Sequence, residues 1–270
     1  MRPLPDIVEH YQRTREAERL LVGPGELERT RTEEIMSRYL VRPPARILDV
    51  GGGTGVYARW LLRQGYDVDL IDPVGSHVEE AKRTFHEEQL RGNASLGDAR
   101  HVEAADRSYD AVLLLGPLYH LPDRIDRLRA LAETKRVLRP GGCAFLAAIS
   151  RFASLLDGFA RSFVRDPQFV SILKQDLTNG QHRNLENTDY FTTAFFHRPE
   201  ELTEEIGEIG LELRVLAGVE GPFWCMNGFR ELWEDASTRG LMLEMARQIE
   251  SEPAMLGASA HWLAVVRRPA

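Results

Sequence analysis

Cysteine is scarce: Cys143 and Cys225 are the only two. Two are too few for a disulfide framework or a cysteine-ligated zinc, and both sit in apolar surroundings, so a pair of buried, reduced thiols is the expectation. A long apolar run is also missing. No stretch of about 18 apolar residues occurs, so no membrane span is expected. Met1 to His10 holds two prolines, Asp6 and Glu9 and no apolar core segment, which does not read as a signal peptide; the cytoplasm is the expected compartment. Basic charge is in deficit, with 34 lysines and arginines against 41 acids and a formal net charge of -7. A chain that grips phosphate backbones has the opposite balance, so nucleic acid is disfavoured as a partner. Lysine is confined to Lys82, Lys135 and Lys174, with arginine supplying the other cations. That is a composition bias from which no function follows.

What is present is ordinary for a globular protein: 270 residues, 43% hydrophobic and 28% charged, enough for one large α/β domain with accessory parts. Residues 1–44 read as a polar helical cap. Gly23-Pro24-Gly25 breaks it, and a second helix spans about 26–40, with Leu27, Thr30, Ile35, Tyr39 and Leu40 near one stripe. From Ala45 the rhythm changes to strand and helix alternating every 20–25 residues. Strands are expected at 46–50, 67–71, 94–97, 109–115 and 143–149, with helices at 55–64, 76–90 and 123–138 between them. Ser76 and Glu79 suggest a capping box for the second of these helices. This is the pattern of a doubly wound parallel sheet. The alternation lapses at about 151–197 and again at 221–257, which read as helical insertions covering the sheet. A helix at 199–209, a strand at 211–219 and a last strand, His261 to Arg267, complete the chain.

The strongest local signal is Asp49-Val50-Gly51-Gly52-Gly53-Thr54-Gly55, directly after the first strand. Glycines between a strand and a helix bare the backbone N–H groups to a ligand. A dinucleotide-binding turn needs G-x-G-x-x-G, and its third glycine position here is Val56. The spacing is G-x-G-x-G instead: Gly51, Gly53, Gly55. The second strand ends at Asp72-Pro73, where a carboxylate can accept hydrogen bonds from ribose hydroxyls. Gly97-Asp98-Ala99 follows the third strand, Tyr109 to Leu121 forms the fourth strand and its loop, and Leu138-Arg139-Pro140-Gly141-Gly142 precedes the fifth.

These five motifs, in this order over residues 46–149, resemble the class I S-adenosylmethionine (SAM)-dependent methyltransferases. The resemblance implies a Rossmann-like α/β fold with a seven-stranded sheet whose last strand is antiparallel. It implies SAM as the methyl donor and S-adenosylhomocysteine (SAH) as its product. It implies cofactor contacts at Asp49, Gly51, Gly52, Gly53, Gly55, Asp72, Pro73, Leu115 and Gly116, with Asp98 and the Ala99 N–H at the adenine. N-terminal helices usually fold over the cofactor in this family, which makes Tyr11, Arg19 and Arg31 candidates as well. Methyltransferases of exocyclic amino groups or of glutamine carry [N/D/S]-P-P-[Y/F/W] after strand four. Here that place reads Gly116-Pro117-Leu118-Tyr119, so the group that grips an amide is missing. Gly116 also stands where metal-dependent catechol methyltransferases need an acid, so no metal is expected.

A small organic acceptor is therefore the expected substrate, methylated by direct displacement. His120 is the candidate base, with Tyr119 beside it. Tyr190, Phe195, His197 and Trp224 are candidates for an apolar enclosure around the acceptor. The alternatives are a methyltransferase of RNA or protein, a nicotinamide-dependent oxidoreductase, and a SAM-binding protein without catalysis.

Overall fold

A computed structural model describes residues 19–184 and 190–270. The elements run α1 Pro24–Tyr39, β1 Arg46–Val50, α2 Val56–Arg63, β2 Asp67–Asp72, α3 Gly75–Glu87, β3 Asn93–Leu96, β4 Tyr109–Leu114, α4 Arg124–Val137 and β5 Leu138–Ser150. After them come α5 Ala153–Ala160, α6 Pro167–Asn179, β6 Gln181–His182, β7 Ala194–His197, α7 Pro199–Glu208 and β8 Glu212–Gly218. Three helices, α8 Phe229–Glu234, α9 Ala236–Ile249 and α10 Pro253–Leu256, precede β9 His261–Arg267. Short 3-10 turns lie at Phe163–Arg165 and Phe223–Cys225.

The main sheet has the order β3-β2-β1-β4-β5-β9-β8. The first five strands are parallel, while β9 runs antiparallel between β5 and β8. Strict alternation along the strands makes the sheet two-sided. Leu48, Val50, Val112, Leu114, Leu146 and Trp262 pack on one face. Ile47, Ala111, Leu113, Phe145, Leu263 and Val265 pack on the other, against Leu61 of α2 and Phe85 of α3. β1 and β4 are almost wholly buried because helices cover both faces.

Several local expectations need correction. On α1 the buried stripe is Leu27, Arg31, Thr32, Ile35 and Met36, so Thr30 and Tyr39 lie off it. The capping box at Ser76 does not form. The helix starts at Gly75, with Val74 as N-cap and no side-chain cap. Asp72 Oδ1 instead accepts the Val74 N–H at 2.9 Å. The stretch 151–197 is more than a cover. Its end, β7, pairs parallel with Ile149 and Ser150 of β5, and with β6 it adds a hairpin to the sheet.

The cover is fastened by buried polar contacts. The Arg127 guanidinium lies 3.6 Å from the centre of the Phe195 ring and bonds Glu205 at 2.7 Å. His182 Nδ1 and the Ser154 hydroxyl share Asp176 Oδ2, at 2.8 and 2.6 Å. Groups so deeply buried have to be matched, because water cannot reach them. No helix among the described residues is long and apolar enough to cross a membrane.

Candidate functional site

A cavity of about 260 Å³ opens at the carboxyl ends of the parallel strands, where open α/β sheets bind ligands. Its floor is the turn after β1. The Gly51 and Gly52 N–H groups donate to Ile71 O of β2 at 2.7 and 3.3 Å, which ties the turn to the neighbouring strand. Side chains are excluded on geometric grounds. A Cβ on Gly51 would come within 2.7 Å of Pro117, and one on Gly52 within 2.7 Å of both the Asp49 carboxyl and Leu70. The close approach that glycine permits therefore serves both the turn and the cavity face.

Two acids stand at this floor. Asp72, 5% exposed, accepts from Gly53 N at 2.9 Å and from Val74 N at 2.9 Å, and His77 Nδ1 lies 3.3 Å away. Asp49 is 1% exposed, and its Oδ2 has no hydrogen-bond partner among the described residues. Burial, and then the neighbouring Asp72 charge, push the Asp49 pKa up to about 7. A buried carboxyl without a donor, beside a bare backbone turn, is a site for a cationic ligand group.

Of the residues expected at the cofactor, Asp49, Gly51, Gly52, Gly53, Asp72, Pro73, Asp98, Ala99, Leu115, Gly116 and Arg19 line this cavity. Gly55 does not. It packs under α3, where a Cβ would meet Phe85 at 3.1 Å. Arg31 is also elsewhere. It is fully buried, donates to Val219 O and Glu34, and pairs with Glu250 of the α9 C-terminus, locking α1 to the cover. Tyr11 lies outside the described residues. Asp98 is already held: Arg100 N and Nε reach its Oδ1 at 2.8 and 2.9 Å, Nη2 reaches Oδ2 at 2.6 Å, and Arg100 also pairs with Asp126.

Tyr119 and His120 line the cavity beyond β4. The Tyr119 hydroxyl donates to Leu115 O at 3.0 Å. The His120 ring stacks on Phe191 with centroids 5.6 Å apart. The four residues expected around the acceptor are not brought there. Tyr190 packs with Phe163 and Phe169 and donates to Asp166. Phe195 lies under Arg127. His197 is fully buried, 3.4 Å from Glu205, and burial holds its pKa below the usual value. Trp224 donates its indole N–H to Ala258 O at 3.0 Å. All four are packing residues of the insertions, whose apolar surface faces other helices.

The sequence reading missed a charged group on the opposite wall. His261, at the start of β9, donates its Nδ1–H to Glu220 Oε1 at 2.5 Å, and Glu28 Oε2 of α1 lies 3.8 Å away. Glu220 is 2% exposed and also bonds the Ser259 hydroxyl and the His261 N–H. Arg19 pairs with Glu28 at 2.5 Å. Burial works against the imidazolium, but Glu28 and Glu220 carry the His261 pKa up to about 9. Burial likewise opposes the Glu28 carboxylate, and Arg19 and His261 bring its pKa down to about 2. Ligand atoms of Glu28, Glu220 and His261 lie within 4.8 Å of one another, a spacing compatible with a metal ion. Their oxygens and Nδ1 are instead engaged with one another, with Arg19 and with Ser259.

Comparison with known proteins fits this geometry. Residues 47–142 match the family described as a methyltransferase domain. Methyltransferase GfsG of Streptomyces halstedii is 36% identical over 121 residues, which are 44% of this chain and 42% of that protein. A ubiquinone biosynthesis O-methyltransferase of Azorhizobium caulinodans is 29% identical over 174 residues, 64% of this chain and 61% of that one. The chain spans about half the length of the curated relatives it matches. A solved SAM-dependent methyltransferase from Methanosarcina mazei superposes with a TM-score of 0.61 at 18% identity, covering 87% of this chain and 97% of that one.

Proposed function

We propose that this chain, whose residues 47–142 match a methyltransferase domain, is a SAM-dependent methyltransferase that transfers a methyl group from SAM to a small organic acceptor. The observation that carries this reading is the floor of the cavity: a side-chain-free turn beside the unpartnered Asp49 carboxyl, with Asp72 at the end of the next strand. These groups fit the donor. The Asp49 carboxyl suits an ammonium group; the Gly51, Gly52 and Gly53 N–H groups are taken by Ile71 O and Asp72 Oδ2, so the turn offers the donor close approach rather than free N–H groups. The cavity edge at Asp72 and Pro73 suits a ribose, and Ala99 offers a backbone N–H to the adenine. Because Arg100 already holds Asp98, the adenine end relies on the Ala99 backbone or on a shift of Arg100.

When bound, SAM supplies a methyl group on a sulfonium, an electrophile that needs no acid to activate it. The work left to the chain is alignment and exclusion of water. Leu115, Gly116, Tyr119 and His120 form the wall between the donor and acceptor halves, and Pro117 closes over Gly51. The names of the relatives, and a net charge of -7, support a small molecule over nucleic acid.

Calorimetry with SAM and SAH tests the first half of this reading, with dissociation constants in the micromolar range expected. Incubation of methyl-labelled SAM with a small-molecule extract of the source cells, followed by mass spectrometry, tests the second half and identifies the acceptor. Absence of heat with both ligands would overturn the reading. Label appearing only in RNA or protein would replace the acceptor class.

A further inference from the structure

We propose that His261, oriented by Glu220, takes the proton from an acceptor hydroxyl, so that the protein is an O-methyltransferase whose base lies on β9; this rests on the methyltransferase reading above. Three observations point there. First, position. Across the carboxyl edge of the sheet the order is β1, β4, β5, β9. The glycine turn holds the β1 end, and His261 stands at the other end, opposite Ile149 of β5 and beside Ala147 and Leu263 in the cavity wall. His261 thus stands three strands along from the glycine turn, with Glu28 and its partner Arg19 beside it.

Second, orientation. Glu220 fixes Nδ1 at 2.5 Å, while Nε2 has no hydrogen bond among the described residues and the side chain keeps 22% of its surface exposed. A histidine of a cavity wall, gripped on one nitrogen by a buried carboxylate and with the other nitrogen unbonded among the described residues, is the arrangement that fixes the tautomer and stabilises the imidazolium formed on proton uptake. His120 has instead a ring stacked against Phe191. Third, matching. The groups facing His261 are Glu28 and Arg19 from the N-terminal part and Glu220 after β8. Together they place its proton affinity near that of a phenol, at about 9 against about 10. A proton passes readily between groups so matched.

The step balances simply. A lone pair of the acceptor oxygen forms the O–CH3 bond as the S–CH3 bond breaks, and that bond's electron pair stays on sulfur, leaving neutral SAH. The hydroxyl proton moves to His261 Nε2, and solvent removes it afterwards.

The test uses the full chain and the acceptor found with labelled SAM. Expected is a log(kcat/KM) that rises with unit slope to about pH 9. His261→Gln loses about a hundredfold or more in kcat and loses that limb, while its SAH affinity stays within about threefold of wild type. Glu220→Gln, which keeps the imidazole, retains a limb moved to lower pH. A readout apart from turnover is nitrogen-15 NMR of the SAH-bound protein: the His261 ring titrates near pH 9, and at lower pH in Glu220→Gln, where Glu28 still raises it. Four results would overturn the proposal: persistence of the limb in His261→Gln, its loss in His120→Gln alone, a His261 midpoint near 6.5 in the wild type, or loss of turnover with a chelator and its return with magnesium. Failure of the methyltransferase reading is told apart, because it shows as no SAH binding and no label transfer in the wild type.

Discussion

The two halves of the cavity are built by different means. The half over β1, β2 and β3 is made of backbone and of acids that end strands: Gly51 to Gly53, Asp49, Asp72, and Ala99. Each of its hydrogen bonds joins positions close in the chain or on adjacent strands. The half at β5 and β9 is made of side chains from the far ends of the sequence, with Glu28 on α1 meeting Glu220 and His261. The first half is held by local backbone hydrogen bonds. The second is assembled from charges that can change while the sheet is kept, which is where a family can alter its acceptor.

That contrast breaks most sharply at Gly52. A valine there would drive its Cβ into Asp49 and Leu70, both within 2.7 Å. Gly52→Val is expected to cut SAH affinity by more than about a hundredfold, measured by calorimetry, with a cooperative melt retained. Affinity within tenfold of wild type would mean that the turn does not cradle the donor. Asp72→Ala comes next. It removes the acceptor of the Gly53 and Val74 N–H groups together with the carboxylate proposed for the ribose. A loss of about ten- to a hundredfold in SAH affinity is expected, matching one or two charge-assisted hydrogen bonds.

The Asp49 carboxyl sharpens the comparison through pH. Its pKa is raised to about 7, so the folded chain binds a proton that the unfolded chain releases at about 4. The stabilisation from this group is therefore full below about pH 4 and lost as pH rises through 7. Asp49→Asn is expected to melt a few degrees higher than wild type at pH 8, with the gap closing below pH 5. The ligand acts in the opposite sense. A cationic group beside Asp49 favours the carboxylate, so SAH binding at pH 6 releases a proton. Affinity should climb by up to about tenfold per pH unit towards 7. Calorimetry in buffers of different ionisation enthalpy reads that proton, and Asp49→Asn abolishes the release. No proton release in the wild type would separate the ligand from Asp49.

The same contrast explains what the sequence made legible. Strand, glycine turn, helix and closing acid are consecutive along the chain, so β1 to β5 and the donor half follow from local pattern and turn chemistry. Where a residue's role depends on a distant partner, pattern fails. Arg31 looks like an exposed cation on a polar helix, yet it is buried against Glu250, 219 residues away. His261 reads as the first residue of the last, antiparallel strand, and nothing near it announces Glu28. A partial signal existed in Glu220, an acid isolated in the apolar turn Ala217-Gly218-Val219-Glu220-Gly221-Pro222 just after a strand. An aromatic cluster reads the same along the chain whether it packs within a cover or encloses a ligand, so the sequence does not separate the two for Tyr190, Phe195, His197 and Trp224.

Trp224 is the mildest test of that last point. It was expected at the acceptor, but its indole N–H donates to Ala258 O in the segment leading to β9. Trp224→Phe removes that bond and keeps most of the ring volume. A loss of about 1 kcal/mol in stability is expected from the stranded carbonyl, with SAH affinity within about twofold and KM for the acceptor unchanged. Denaturant unfolding reads the first and steady-state kinetics the last. A tenfold rise in the acceptor's KM with stability unaltered would return Trp224 to the enclosure. The acceptor half would then extend past His261 into the second insertion, and the division between a fixed donor floor and a small charged acceptor wall would no longer hold.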